Sequence, residues 1–163
     1  MDLLKALLNG NFLAILGASF AVIFAGLGSA KAVSMVGEAA AGVITEEPEK
    51  FAQALLLQAL PGTQGIYGLL TAFVILVKIG VVGGTMQDLT TVQGLLFLVA
   101  ALPIAIVGYL SALAQGRAAV AGIGIIAKRP QELAKAVTFA AMVETYAILA
   151  LLGSILMVFG INI

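Results

Sequence analysis

The stretch "FAAMVETYAILALLG" at Phe139–Gly153 places one glutamate, Glu144, inside a long run of apolar residues. An ionised carboxylate near the centre of a bilayer-spanning helix costs at least about 2.5–3.5 kcal/mol. Such a residue is usually surrounded by polar partners and has a specific function. The stretch therefore predicts a membrane helix, and the partners of Glu144 have to be sought elsewhere in the chain.

The composition is that of a membrane protein. Of 163 residues, 62% are hydrophobic and 10% are charged, and the mean hydropathy is +1.17. Soluble domains contain about 45–50% apolar and about 25% charged residues. Zero net charge disfavours a nucleic-acid-binding surface, and the absence of Cys and His excludes thiol chemistry, disulfides and imidazole catalysis. No Gly-rich phosphate loop ending in Lys-Ser or Lys-Thr occurs, so we expect no ATP chemistry in this chain.

Four segments are apolar over the length of about 20 residues that a bilayer-spanning helix needs. They cover about 12–44, 51–79, 92–127 and 133–159. Turns containing Pro48 and Pro130 join them in pairs, and a Gly-rich connection over 80–91 separates the pairs. The sequence thus predicts an all-α membrane protein made of two fused helical hairpins, 1–79 and 92–163.

Basic residues predict the orientation of these spans. Four lie on the side of the proline turns, and two lie on the other side: Lys50, Lys128, Arg129 and Lys135 against Lys5 and Lys78. Because cytoplasmic loops are enriched in Lys and Arg, we expect a multi-pass cell-membrane protein with cytoplasmic proline turns and both termini outside. Lys31, Glu38 and Arg117 lie in the C-terminal portions of the long first and third spans, which are expected to line a cavity or to reach past the lipid.

The chain repeats itself after 82 residues. Matching positions include Gly26 with Gly108, Ser29 with Ser111, Pro48 with Pro130 and Thr63 with Thr145. Both hairpins enter the membrane from the same side, so the repeat is parallel and not inverted. In this register Glu144 falls on Gly62. A duplication that could hold two carboxylates therefore holds one.

Small residues recur at intervals of four or eight positions in the first and third spans. They include Gly17, Ala21, Ala25 and Ser29 in one span and Gly108, Ala112, Gly116 and Gly124 in the other. This spacing lets helix backbones approach closely in lipid. Two such stripes in equivalent helices favour many helices packed into an inner ring.

Polar residues of other spans share the depth of Glu144, which is 14 residues past Pro130. At this level, at a helical rise of about 1.5 Å per residue, lie Thr63, Gln64, Tyr67, Gln115, Thr145 and Tyr146. Any one of them alone is more typical of helix packing or of a hydrogen bond between helices, and Glu144 alone could be a protonated structural carboxyl. Their common depth instead predicts an oxygen-rich site for a hard monovalent cation.

Pro61 interrupts the second span beside this belt of polar residues. A proline has no N–H, so it frees the carbonyl four residues earlier, at Leu57, and Gly62 weakens the helix further. We therefore expect backbone oxygens near Thr63 to be available as additional ligands.

Three motifs carry a resemblance to a known family: "LPGTQGIYG" at Leu60–Gly68, "AQG" at Ala114–Gly116 and "FAAMVETYAIL" at Phe139–Leu149. Over essentially its whole length the chain resembles the proteolipid (K or c) subunit of V-type ATPases, most closely that of bacterial sodium-translocating members. The resemblance implies a homo-oligomeric rotor ring in the lipid bilayer, with the first and third helices in its inner layer. It implies as partners a stator subunit with an essential arginine and central-stalk subunits that link the ring to the ATP-hydrolysing or ATP-synthesising head.

The resemblance also implies how the ion is held. One Na⁺ would be bound by the carboxylate of Glu144, by side-chain oxygens of Thr63, Gln64 and Gln115, and by the main-chain carbonyl of Leu60. Tyr67 would hold the carboxylate by a hydrogen bond, next to the loosened turn at Pro61 and Gly62. The ion would be carried while the ring rotates, and the chain itself would not be an enzyme.

Three alternatives remain at the level of the sequence. The same rotor could carry H⁺ on a protonated Glu144. A secondary carrier could use Glu144 as its coupling residue, although inverted repeats or paired broken helices are not evident. A structural membrane proteolipid of junctional type would leave the belt of oxygen ligands unexplained.

Overall fold

The computed structural model describes residues 7–163, so residues 1–6, including Lys5, lie outside the described part. We label its long helices α1 Gly10–Glu46, α2 Phe51–Ala59, α3 Thr63–Lys78, α4 Thr91–Lys128 and α5 Leu133–Gly160. Short 3₁₀ turns precede α2, α3 and α5, at Pro48–Lys50, Leu60–Gly62 and Pro130–Glu132. Within residues 7–163, four stretches are long and apolar enough to cross a membrane: Gly10–Glu46, Pro48–Lys78, Thr91–Lys128 and Pro130–Gly160. The described residues contain no strand, and the predicted all-α class of two hairpins is confirmed.

Local sequence explains where the helices begin. The side chain of Asn9 accepts hydrogen bonds from the first backbone N–H groups of α1. Thr90 and Gln93 form a reciprocal capping box at the start of α4. Pro48 and Pro130 open the 3₁₀ turns that follow α1 and α4, where a fixed φ and a missing N–H are tolerated.

The second span is not a continuous α-helix. Its two parts, α2 and α3, are joined by the 3₁₀ turn Leu60–Gly62, which contains the buried Pro61. Because proline cannot donate the hydrogen bond that an α-helix requires at this position, the chain tightens locally and then resumes the helix at Thr63. This interruption lies midway along the span and brings backbone carbonyls into the packed interior.

The two longest helices, α1 and α4, pack along each other through small residues. A Cβ atom at Gly28 would lie 2.7 Å from the Cα and the carbonyl oxygen of Tyr109, and one at Gly17 would lie 2.6 Å from the Cα of Leu98. Helices α2 and α3 pack against both α1 and α4, and α5 packs mainly on α4. The small-residue stripes therefore bring the backbones of α1 and α4 into contact within a single chain.

Two lysines connect the hairpins at opposite ends of the molecule. Lys50 is buried, and its Nζ lies 2.6 Å from Oε1 of Glu47 and 2.6 Å from the carbonyl oxygen of Ala127, at the end of α4. At the other end, Nζ of Lys78 donates to the carbonyl of Val158 at 2.8 Å. The two proline turns thus lie at the same end of the bundle, as a parallel repeat requires.

The charged residues of α1 and α4 lie on exposed faces of the single chain. Lys31 and Glu38 on α1 and Arg117 on α4 are exposed. Glu38 accepts a hydrogen bond from Ser34 at 3.1 Å. None of these three charges takes part in the polar cluster described below.

The packing of α1 on α4 generates a prediction. Gly28→Ala should lower the stability of the bundle by about 1–3 kcal/mol, the usual cost of overpacking, because the main-chain atoms of Tyr109 cannot turn away from the new methyl group. Thermal unfolding in detergent measures the effect. Gly42→Ala is the matched control, since a Cβ at Gly42 meets nothing within 4 Å. Equal midpoints for the two variants would contradict this account of the packing.

Candidate ion-binding site

Glu144 lies midway along α5, partly exposed, and is held by side chains of two other helices. The hydroxyl of Tyr67, on α3, donates to Oε1 of Glu144 at 2.5 Å. The amide Nε2 of Gln115, on α4, lies 3.4 Å from Oε2. Both carboxylate oxygens are therefore engaged, and residues of both repeats fix the position of Glu144.

A buried pair of amides extends this contact inward. Gln64 and Gln115 are each 0% exposed, and Nε2 of Gln64 donates to Oε1 of Gln115 at 2.5 Å. On the far side, Oγ1 of Thr63 lies 3.3 Å from Oε1 of Gln64. Five polar side chains thus form one connected cluster across α3, α4 and α5: Thr63, Gln64, Tyr67, Gln115 and Glu144.

The interruption of the second span supplies the backbone part of the cluster. The carbonyl of Leu60 accepts the backbone N–H of Thr63 and also its hydroxyl, the latter at 3.0 Å. Pro61 is buried, and Gly62 follows it with no side chain to fill the space next to Thr63. The 3₁₀ turn therefore places a main-chain oxygen in direct contact with the polar side chains.

The cluster contains one carboxylate and no basic side chain. Among the described residues, the two ion pairs join Lys50 to Glu47 and Lys135 to Glu132, both near the proline turns. No Lys or Arg of residues 7–163 pairs with Glu144. An ionised carboxylate at this depth without a counter-charge is strongly disfavoured, so the site calls for a bound cation or a proton.

The donor set indicates which cation would fit. The described residues contain no group of three or more His, Cys, Asp or Glu that could hold a metal ion. The groups around Glu144 offer amide, hydroxyl and main-chain carbonyl oxygens, the ligand type of hard cations. A single negative charge surrounded by neutral oxygens suits an ion of charge +1, since the ion and the carboxylate then neutralise each other.

Two residues assigned to the same depth do not join the cluster. Tyr146 is 65% exposed, and the hydroxyl of Thr145 donates to the carbonyl of Met142 in its own helix at 2.8 Å. Successive residues of an α-helix are rotated by about 100°, so Thr145 and Tyr146 cannot share the direction of Glu144. Their inclusion in the polar belt was wrong, because depth alone does not fix the direction in which a side chain points.

One contact to the cluster was not predicted. Ser29 of α1 was placed in the small-residue stripe, but its hydroxyl donates to the carbonyl of Pro61 at 2.8 Å in a buried position. The repeat gave no signal for this role, because Ser29 and its counterpart Ser111 look alike in the sequence.

The two tyrosines near Glu144 allow a controlled prediction. Tyr67→Phe removes the hydroxyl that donates to Oε1 of Glu144. We therefore expect Glu144 to react with a hydrophobic carbodiimide about three to ten times faster, which is the effect of losing one hydrogen bond. Tyr146→Phe removes an equivalent hydroxyl that points away and should leave the rate unchanged. Peptide mass spectrometry of the labelled chain measures both rates, and equal rates would contradict the observed contact.

Comparisons with known proteins agree with this architecture. The family model of the ATP synthase C subunit matches the chain twice, at residues 16–75 and 98–157, with the same spacing as the internal repeat. V-type sodium ATPase subunit K of Enterococcus hirae is 52% identical over 158 residues, which cover 97% of each chain. A-type ATP synthase subunit K of Methanocaldococcus jannaschii is 40% identical over 149 residues, which cover 91% of this chain and 63% of that protein.

These matches confirm the resemblance drawn from the motifs of the three spans. They also agree with the four apolar spans, which make the protein a multi-pass membrane protein. The two matched regions contain the residues of the polar cluster, since Thr63, Gln64 and Tyr67 fall in the first and Gln115 and Glu144 in the second. The chain belongs to the family of the ATP synthase C subunit.

Proposed function

We propose that the chain is the ion-carrying subunit of the rotor ring of a V-type ATPase and that it binds one Na⁺ at Glu144. The observation that carries the proposal is the half-buried carboxylate of Glu144, which is held by Tyr67 and Gln115 and has no basic partner in residues 7–163. The relative from Enterococcus hirae, named as a sodium ATPase subunit, supports Na⁺ as the ion.

The proposed ligands of Na⁺ are oxygens of the connected cluster. The carboxylate of Glu144 supplies the charge, and Oγ1 of Thr63, Oε1 of Gln64, Oε1 of Gln115 and the carbonyl of Leu60 supply neutral oxygens. Gln64 and Gln115 are completely buried and hydrogen-bonded to each other, so their amides are well placed to act together. Tyr67 keeps the carboxylate in position, and Pro61 and Gly62 keep the Leu60 carbonyl out of a regular α-helix.

Rotation follows from the charge state of Glu144. The side chain is partly exposed on a helix whose neighbouring residues Met142 and Leu149 are 63% and 64% exposed. With Na⁺ bound, the site is neutral and can face lipid. Without the ion, the carboxylate needs a compensating charge, which a stator subunit with an essential arginine would supply. The alternation between these two states couples the passage of ions to the turning of the ring.

The remaining parts of the machine lie in other subunits. Copies of this chain would form the ring, central-stalk subunits would connect it to the ATPase head, and ATP chemistry would take place in that head. The basic residues at the end of the proline turns favour a cytoplasmic position for these turns, with the termini on the opposite side. A parallel repeat and a single carboxylate give one ion per chain, because Gly62 occupies the place equivalent to Glu144.

Glu144→Gln tests the proposal as a whole. The amide is nearly isosteric and permanently neutral, so the variant should insert and assemble but should lose ion transport and the binding of one Na⁺ per chain. Transport in vesicles and equilibrium binding of radioactive Na⁺ to purified rings measure these effects. Glu132→Gln is the control, because Glu132 forms a local ion pair with Lys135 near a proline turn. Transport at the normal rate in Glu144→Gln would refute the proposal.

Two equivalent threonines test the ligand set. Thr63→Ala removes a proposed ligand oxygen and should raise the Na⁺ concentration for half-saturation about tenfold, in line with a lost bond to a charged group. Thr145→Ala removes the repeat-related hydroxyl, which bonds within its own helix, and should change nothing. The readout is the Na⁺ concentration that half-protects Glu144 from carbodiimide. If both variants need the same Na⁺ concentration for half-protection, Thr63 is not a ligand of the ion. If labelling of the unchanged protein does not respond to Na⁺, the carried ion is H⁺.

A further inference from the structure

We propose that Ser29 is a positioning residue of the ion site, which holds the Leu60–Gly62 turn so that the Leu60 carbonyl faces the polar cluster. The inference rests on the proposed function, since it gives the Leu60 carbonyl a task only if an ion binds there. The hydroxyl of Ser29 hydrogen-bonds to neither Glu144 nor Gln115. It acts through the backbone of the turn.

The contact is specific and buried. Ser29 is 7% exposed, and its Oγ donates to the carbonyl oxygen of Pro61 at 2.8 Å. Among residues 7–163 this is the one side-chain hydrogen bond that joins α1 to the second span. Pro61 directly follows Leu60, so fixing the orientation of one peptide group constrains the carbonyl next to it.

Close packing reinforces the contact. A Cβ at Gly65, in the first turn of α3, would lie 3.3 Å from both Cβ and Oγ of Ser29. One turn later, Gly68 packs so closely on Ala21 and Ala25 that a Cβ there would collide with them. The start of α3 is thus pressed onto α1, and Ser29 meets a backbone that has little freedom to move away.

The second repeat provides an internal comparison. Ser111 corresponds to Ser29, and Val143 corresponds to Pro61. Helix α5 is continuous through Val143, and there the hydroxyl of Ser111 bonds to the carbonyl of Gly108 in its own helix, at 3.4 Å. Of this repeat-related pair, only Ser29 bonds to a neighbouring span, and it does so where that span is interrupted. This difference associates the Ser29 bond with the turn and not with helix packing in general.

Removing the hydroxyl should change ion affinity and spare the carboxylate. In Ser29→Ala the Pro61 carbonyl loses its donor, the Leu60–Gly62 turn is no longer fixed to α1, and the Leu60 carbonyl shifts away from Thr63. Glu144 keeps its own partners, Tyr67 and Gln115. We expect an about three- to tenfold higher Na⁺ concentration for half-saturation, the effect of one lost hydrogen bond.

The experiment uses assembled rings and carbodiimide labelling of Glu144 across a range of Na⁺ concentrations and pH values. Ser29→Ala should need more Na⁺ for half-protection, whereas its labelling rate without Na⁺ should follow the pH profile of the unchanged protein. Ser111→Ala is the matched control and should behave as the unchanged protein. Ser29→Cys, with a weak S–H donor of similar size, should lie between the two.

Every result of this experiment either supports or overturns the proposed role of Ser29. Half-protection of Ser29→Ala at the Na⁺ concentration of the unchanged protein, or equal shifts in both alanine variants, would overturn the role of Ser29 while leaving the proposed function intact. An altered pH profile without Na⁺ would assign Ser29 to general packing and would also overturn it. Insensitivity to Na⁺ in the unchanged protein would refute the sodium site itself, and the inference with it. If Ser29→Ala fails to assemble, Ser29→Cys against Ser111→Cys makes the same comparison.

Discussion

A carboxylate inside the bilayer cannot stay ionised without a counter-charge, and the arrangement of this protein depends on that constraint at Glu144. At a cost of at least about 2.5–3.5 kcal/mol for an ionised group at mid-membrane, an unassisted glutamate would be selected against. Here Tyr67 and Gln115 engage both of its oxygens, and Gln64 and Thr63 continue the network into the interior. These contacts join α3, α4 and α5, so at Glu144 the two hairpins meet through polar side chains in addition to the packing of α1 on α4.

The two repeats contribute different chemical groups to the surroundings of Glu144. The second repeat keeps a continuous helix and supplies the charge, whereas the first has Gly62 in the equivalent position and an interrupted helix that supplies neutral oxygens. In the proposed rotor, one ion per four helices would have an energetic consequence. Each ion that crosses contributes about 2.3 kcal/mol per 100 mV, so fewer ions per turn let the energy of each ATP drive an ion against a steeper gradient.

The sequence predicted the fold and the depth of the site, but not the directions of the side chains around it. Hydropathy, the proline turns and the 82-residue repeat are sufficient for four spans in two hairpins, because lipid leaves few alternatives to helices. Depth follows from counting residues, which correctly aligned Gln115 with Glu144. Rotation about the helix axis depends on packing against neighbouring helices, so Thr145 and Tyr146 were wrongly included. Ser29 was missed for the same reason, since a small residue in a stripe gives no indication of the carbonyl that it meets.

The glycines that bring the backbones together also determine where polar atoms can reach. At Gly65 and Gly68 the start of α3 lies directly on α1, and this closeness allows a side chain as short as that of Ser29 to reach the carbonyl of Pro61. A bulkier pair of surfaces would separate the helices and leave the interrupted turn without a donor from α1. Helix packing in this protein is therefore part of the chemistry of the site, because the distance between backbones decides whether the turn beside Glu144 is held or free.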